Sequence, residues 1–203
     1  MKGLLIKDFY STLRQLKYFI LVIFLMTFIP GFSMLTFAIV YATMLPMTAI
    51  AYDERSKWDK LAAMMPYSSA DITFSKYVMG GLMVVGVAIF ACFAQAIVGI
   101  FTRTPLTGMF FAKLLLVLCF AFIIEDIELP LLIRFGAEKG RIAIVLLLVV
   151  IGVGGATLIE STSVLLFQAM DLGLLLLIAL AAAAVLTALS VLLSIKLYEG
   201  KKE

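Results

Sequence analysis

No charged residue interrupts residues 18–52. At about 1.5 Å of rise per residue, that stretch is far too long for one upright helix across a bilayer. Pro30-Gly31 is the natural break. It predicts a first span near residues 13–29 and a second near 33–51, with Pro46 expected to kink the second. Four further apolar runs follow, at about 76–101, 109–132, 142–159 and 172–197. Each is close to the ~20 residues that cross the hydrocarbon core, so the pattern predicts six transmembrane helices. Residues 1–17 read differently. Leu5, Phe9, Leu13 and Leu16 recur at helical spacing, while Lys7, Asp8, Ser11, Arg14 and Gln15 fill the other side. That predicts an interfacial helix on the membrane surface, its basic side chains reaching the headgroups. An ordinary cap on the first span is the alternative.

Composition agrees with that pattern. Of 203 residues, 64% are hydrophobic and 14% charged, and the mean hydropathy is +1.17. A water-soluble domain carries about 25% charged residues, and disordered chains are poor in apolar ones, so both classes are excluded. Six spans would occupy about 120 residues. The remainder falls short of a separate catalytic domain, typically of about 50–200 residues. There is no histidine, which removes imidazole acid–base chemistry and His–metal sites. Cys92 and Cys119 lie in apolar runs and read as small packing residues rather than a disulfide or metal site. The apolar start at residues 3–6 is cut short by Lys7 and Asp8, so no cleavable signal is expected.

The charges also predict an orientation. Lys2, Lys7, Arg14 and Lys17 precede the apolar part of span one, and Arg55, Lys57, Lys60 and Lys76 lie between spans two and three. Arg134, Lys139 and Arg141 lie between four and five, and Lys196, Lys201 and Lys202 at the end. Together these are 14 of the 16 Lys and Arg. Only Arg103 and Lys113 fall on the other side. By the positive-inside rule both termini are expected in the cytoplasm of a multi-pass plasma-membrane protein.

The loop between spans two and three is the most informative polar segment. Trp58, Leu61, Ala62 and Met65 recur at i, i+3, i+4 and i+7, predicting one apolar stripe on a helix of about three turns over residues 53–65. Asp53, Glu54, Lys57 and Lys60 dominate its other side, and Pro66 ends it. Such a helix can lie on the bilayer or dock into a groove of a soluble partner. Pattern alone leaves both open.

Tyr52-Asp53-Glu54, Trp58, Pro66, Asp71-Ile72 and Ser75-Lys76-Tyr77 resemble a segment of the small permease subunits of type-2 ABC exporters. Pro130, Phe135-Gly136 and Glu138-Lys139-Gly140-Arg141 resemble the link between spans four and five of the same group. Within it the chain looks most like compact permeases of bacterial peptide exporters, such as those for phenol-soluble modulins and bacteriocins. The resemblance implies an all-α permease domain over residues 1–203, with six spans behind an interfacial helix. It also implies that Asp53, Glu54, Lys57, Trp58, Leu61, Ala62 and Met65 form a coupling helix against an ABC ATP-binding subunit. That subunit would bind ATP and Mg, with no cofactor on this chain. A second permease, identical or sibling, would complete a dimer in membrane lipid, without nucleic acid. The chain departs from the family at Glu125-Asp126-Ile127-Glu128, where neutral residues are expected.

No G-x-x-x-x-G-K-[ST] phosphate loop occurs. Residues 136–141, with two glycines and a Lys, have the wrong spacing and read as a tight turn between helices. The chain is therefore not expected to be an enzyme. Glu125, Asp126 and Glu128 have two readings. One is an acidic vestibule for a cationic substrate. The other, which the sequence favours, is a set of boundary charges solvated or paired with Arg134 or Lys139. In residues 160–171 the apolar 164–167 run is too short to cross. Between Glu160 and Phe167 a re-entrant outer segment is the physical solution, and the resemblance implies one there too; a shallow dip of Phe167 and its neighbours into the interface is the alternative. Small residues such as Gly80, Gly81 and Gly86 permit close helix approach. Together these features make an exporter permease for an amphipathic or hydrophobic substrate the leading reading, a peptide being the expected cargo. A non-transporting peptide sensor or immunity subunit is the alternative. A membrane-embedded enzyme fits poorly with scattered carboxylates and no histidine.

Overall fold

The computed structural model describes residues 2–26, 38–39, 41–62, 64–102, 108–160 and 172–200. Six helices are defined among them: α1 (Lys2–Met26), α2 (Leu45–Arg55), α3 (Trp58–Ala62), α4 (Ser69–Thr102), α5 (Gly108–Glu160) and α6 (Leu172–Glu199). No described residue is in a strand. Two helices, Ser69–Ile97 and Gly173–Glu199, are long and apolar enough to cross a membrane by length and composition. The Pro30-Gly31 break and the expected re-entrant segment around Phe167 lie outside the described residues.

Helix α1 differs from expectation twice. It runs unbroken from Lys2 to Met26, so no separate interfacial helix ends near residue 17. Its faces also do not divide as expected, although Leu5 still packs on the core. Leu4, Asp8 and Thr12 are buried against the bundle, while Ile6, Phe9, Tyr10, Tyr18 and Leu21 are exposed. In a membrane protein the lipid takes the oily face, and polar groups turn inward to find partners.

Pro46 starts a helix rather than kinking one. Residues 41–42 are helical, Thr43 and Met44 form a turn, and α2 opens with Pro46 in its first turn. There its missing N–H costs nothing. At its other end α2 stops at Arg55, because Lys57 adopts a left-handed conformation with φ 53° and donates its amide to the Glu54 carbonyl at 3.1 Å. This closes the helix as a C-terminal cap does. The single three-turn helix expected over residues 53–65 is therefore two pieces, with only the five-residue α3 beyond the break.

Helix α4 starts seven positions before the expected span at Lys76, at Ser69. The cause is a reciprocal capping box. The Ser68 hydroxyl accepts the Asp71 amide at 3.0 Å, and the Asp71 carboxylate accepts the Ser68 amide at 3.3 Å. Helix α5 joins the fourth and fifth runs. The expected turn is reduced to one non-helical residue, Gly136, with φ 80° and ψ 173°.

Three buried clusters hold these elements together. Ile39, Ala42 and Leu45 pack on Met83, Val84 and Val87 of α4 and Ala121 of α5. Met47 and Ile50 of α2 pack on Tyr77, Leu129, Leu132 and Ile144. Leu4, Ala62, Ile72, Ile133 and Tyr198 form the third, with Trp58 against it. Gly80 is a point of closest approach. A Cβ there would stand 1.8 Å from Glu125 Oε1 and 2.9 Å from Pro46 Cγ, and one at Gly81 would stand 3.3 Å from Phe122. Gly86 faces open space, so only the first two of that trio serve packing.

Candidate functional site: a clamped loop and a polar interior

At the loop end of the bundle, two lysines and two aspartates interlock. Lys76 Nζ lies 2.8 Å from Asp8 Oδ1 and 2.5 Å from Asp53 Oδ2. Lys7 Nζ lies 2.6 Å from Asp53 Oδ1 and 3.0 Å from Asp8 Oδ1. The network ties α1, the end of α2 and α4 at one point. Asp8 and Lys76 are buried there, where charges persist only when paired. Lys7 also sits 4.3 Å above the Trp58 ring, a cation–π contact.

Trp58 therefore belongs to the bundle. With Ala62 it faces the Leu4, Ile72, Ile133 and Tyr198 cluster, whereas Leu61 is 49% exposed, Met64 85% and Met65 40%. The expected stripe divides: Trp58 and Ala62 hold the loop down, and Leu61 and Met65 point away. Met64 was missed by the helical spacing because the chain leaves the helix after Ala62 and turns through Met64–Pro66.

The two polar connections singled out separately meet in space. Glu54 and Arg55 share a cleft of about 570 Å³ with Phe135, Glu138, Lys139 and Arg141. Glu54 Oε2 accepts the Ala137 amide at 3.0 Å. Arg141 Nε donates to Met47 Sδ at 3.3 Å, and Arg134 stacks 5.4 Å from the Phe135 ring.

Deeper in the bundle the acidic triplet departs from expectation. Glu125 and Glu128 are each 2% exposed, and none of their carboxylate oxygens has a hydrogen-bond partner among the described residues. They are neither solvated nor paired with Arg134 or Lys139. The reason is depth. Helix α5 runs on to Gly136 before it breaks, so the triplet lies roughly 12–16 Å inside that end at 1.5 Å per residue. Asp126 has partners on α6. Its Oδ2 accepts the Thr187 hydroxyl at 2.7 Å and its carbonyl accepts the Ser190 hydroxyl. The chain of hydroxyls continues from Ser190 to Tyr77 at 2.5 Å and from Tyr77 to Ser194 at 2.8 Å. This links α4, α5 and α6 through buried polar contacts. Among the described residues no three His, Cys, Asp or Glu come together as a metal site. Cys92 and Cys119 are free thiols, Cys119 buried.

Two apolar grooves flank the Asp126–Thr187 contact. One of about 820 Å³ runs along Phe74, Leu115, Phe122, Leu180 and Thr187. The other, about 410 Å³, is lined by Asp126, Pro130, Leu186, Ser190 and Leu193. Each is an oily trough, the first touching the Thr187 side chain and the second Asp126 and Ser190.

Long apolar helices, outward-facing apolar side chains and inward-facing charges define a helical membrane protein. The family described as ABC-2 family transporter protein matches residues 3–199, nearly the whole chain, and the chain belongs to that family. No curated protein and no solved structure matches it.

Proposed function

We propose that this chain is the permease subunit of an ABC exporter, moving an amphipathic substrate, a peptide by preference, with ATP hydrolysed on a separate subunit. Six spans with both termini cytoplasmic complete the reading, since 14 of 16 basic residues fall on one side. The observation that carries it is the loop between α2 and α4. Its base is locked to the bundle by Lys7, Asp53, Lys76 and Trp58, while Leu61, Met64 and Met65 project from it exposed. A rigidly based apolar knob can take up a push from a soluble partner and deliver it to the spans. Methionines suit such a contact, because their side chains adapt to the opposing surface. On the substrate side, the two oily grooves beside Asp126 and Thr187 suit a molecule with a large oily face. The carboxylates of Glu125 and Glu128 are closed off from both grooves in this conformation, and they form an acidic vestibule for cationic cargo only when a rearrangement opens them.

Co-purification in mild detergent, followed by mass identification, tests this reading. An ABC ATP-binding subunit is expected at equal stoichiometry with the permease. A histidine kinase in its place would favour the sensor alternative, and recovery of the chain with neither would remove the proposal.

A further inference from the structure

Glu54 occupies a position that the coupling reading does not by itself explain. Helix α5 is broken at Gly136, whose φ of 80° is favourable only for glycine. The helix resumes at once, so the Ala137 amide belongs to a new first turn and has no carbonyl behind it. Glu54 Oε2 accepts that amide at 3.0 Å. The other carboxylate oxygen stands 2.5 Å from where a Cβ at position 136 would be. The break in α5 is thus filled by a side chain from α2, and the absent side chain of Gly136 makes room for it. A carboxylate at a helix N-terminus also meets the positive end of the helix dipole.

Asp53 and Glu54 are consecutive, yet they grip different parts of the bundle. Asp53 holds Lys7 of α1 and Lys76 of α4, while Glu54 holds the second half of α5. Both sit in the last turn of α2, next to the Ser56-Lys57 turn that leads into α3. We propose that Glu54 is a positioning residue that transmits displacement of the α2–α3 loop to the half of α5 beyond Gly136, acting as a mechanical latch between them. The latch rests on the exporter reading for the origin of the displacement. Its geometry does not. Arg55, Lys139 and Arg141 of the same cleft carry only donors and cannot accept the Ala137 amide in its place.

The test has two arms and three variants. Glu54→Ala removes the acceptor. Glu54→Asp keeps the charge but falls short by about 1.5 Å. Glu54→Gln keeps both the length and an acceptor oxygen. In the first arm, amide exchange of the purified permease is followed at Ala137. Exchange should rise about tenfold with Ala and Asp and stay near the wild-type rate with Gln. Unchanged exchange in Glu54→Ala overturns the latch. In the second arm, Glu138→Cys, introduced with Cys92 and Cys119 changed to Ala, is labelled in the permease–ATPase complex with and without ATP and vanadate. Nucleotide should change the rate about fivefold with Glu54 or Gln and by less than about twofold with Ala or Asp, at unchanged subunit stoichiometry. A nucleotide effect that survives in Glu54→Ala, or is absent with Glu54 itself, overturns transmission through this residue. Loss of the folded protein in all three variants, Gln included, overturns it in favour of a purely structural requirement. Failure of any ATPase to join the wild-type permease would remove the exporter reading, while the exchange arm would still decide the latch.

Discussion

Lys76 and Asp8, 68 positions apart in sequence, are paired at 2.8 Å, and both side chains are buried. Each would be intolerable there alone, since an isolated buried charge costs several kcal/mol even after relaxation, to order of magnitude. The pairing explains why Asp8 of α1 turns inward. Asp8→Ala leaves Lys76 paired with Asp53 and is expected to destabilise the protein by about 1–3 kcal/mol, the cost of one lost buried partner. The double variant Asp8→Ala/Lys76→Met should recover most of that loss. Thermal unfolding in detergent measures both, and an additive double variant would show that the pair does not act as a unit.

Gly80 and Glu125 make a second close pair, with opposite logic. Gly80→Ala drives a methyl into Glu125 Oε1 and Pro46 Cγ and should cost about 1–3 kcal/mol, the usual range for overpacking. Adding Glu125→Ala opens space on one side only, so relief should be partial. The same melting assay checks it. Equal melting temperatures for wild type and Gly80→Ala would show that α4 and α5 are not packed this closely.

The membrane class was legible in the sequence because hydropathy is a property of residues taken one at a time. Depth and facing were not. Reading α1 as amphipathic assumed that its polar side meets water or headgroups. Asp8 and Thr12 instead meet Lys76 and the bundle, which requires knowing that Lys76 lies opposite, 68 positions away. Counting about 15–19 residues into the fourth run sets Glu125 and Glu128 near an interface, whereas the helix continues to Gly136. Only the conformation of Gly136 shows where the break falls. The Ser68-x-x-Asp71 box was readable, and would have moved the start of α4 seven positions earlier. The spacing of residues 53–65 reads as one helix, but the left-handed Lys57, which breaks it in two, has no signature that a lysine would display.

Glu125 and Glu128 are buried without partners, so their carboxylates do not serve stability. Glu125→Met and Glu128→Met should leave the protein as stable or raise its stability by about 1–3 kcal/mol, the penalty carried by an unsatisfied buried polar group. For the proposed vestibule, the expected cost is functional. The apparent affinity for a cationic amphipathic peptide should fall in reconstituted vesicles, and that for a neutral one should not. Equal losses for both peptides would rule out charge selection at this depth.

Orientation is open to a direct measurement. With 14 of 16 basic residues on the proposed inner side, a cysteine replacing Ser163 should react with an impermeant thiol reagent in whole cells. One replacing Ser56 should react only after lysis. Labelling in the reverse order would place the Leu61–Met65 knob on the wrong face for any ATPase.

Trp58 and Met64 separate holding the loop from docking it. Trp58 packs against Leu4, Ile72 and Tyr198 beneath Lys7, so Trp58→Ala should lower stability by roughly 2–3 kcal/mol, below the ~3–5 kcal/mol of a fully buried aromatic. Met64 is 85% exposed, and Met64→Ser should leave the melting temperature unchanged. If Leu61, Met64 and Met65 meet the ATPase subunit, Met64→Ser combined with Leu61→Ser should weaken that association by about tenfold or more, each tenfold corresponding to about 1.4 kcal/mol. Titration of the purified ATPase against the permease in nanodiscs gives the affinity, and a melt on the same samples gives the stability. Should the double serine variant bind as tightly as wild type, the exposed side chains are not the docking surface. The push would then have to enter elsewhere, with the Glu54–Phe135–Arg141 cleft as the remaining polar face at that end.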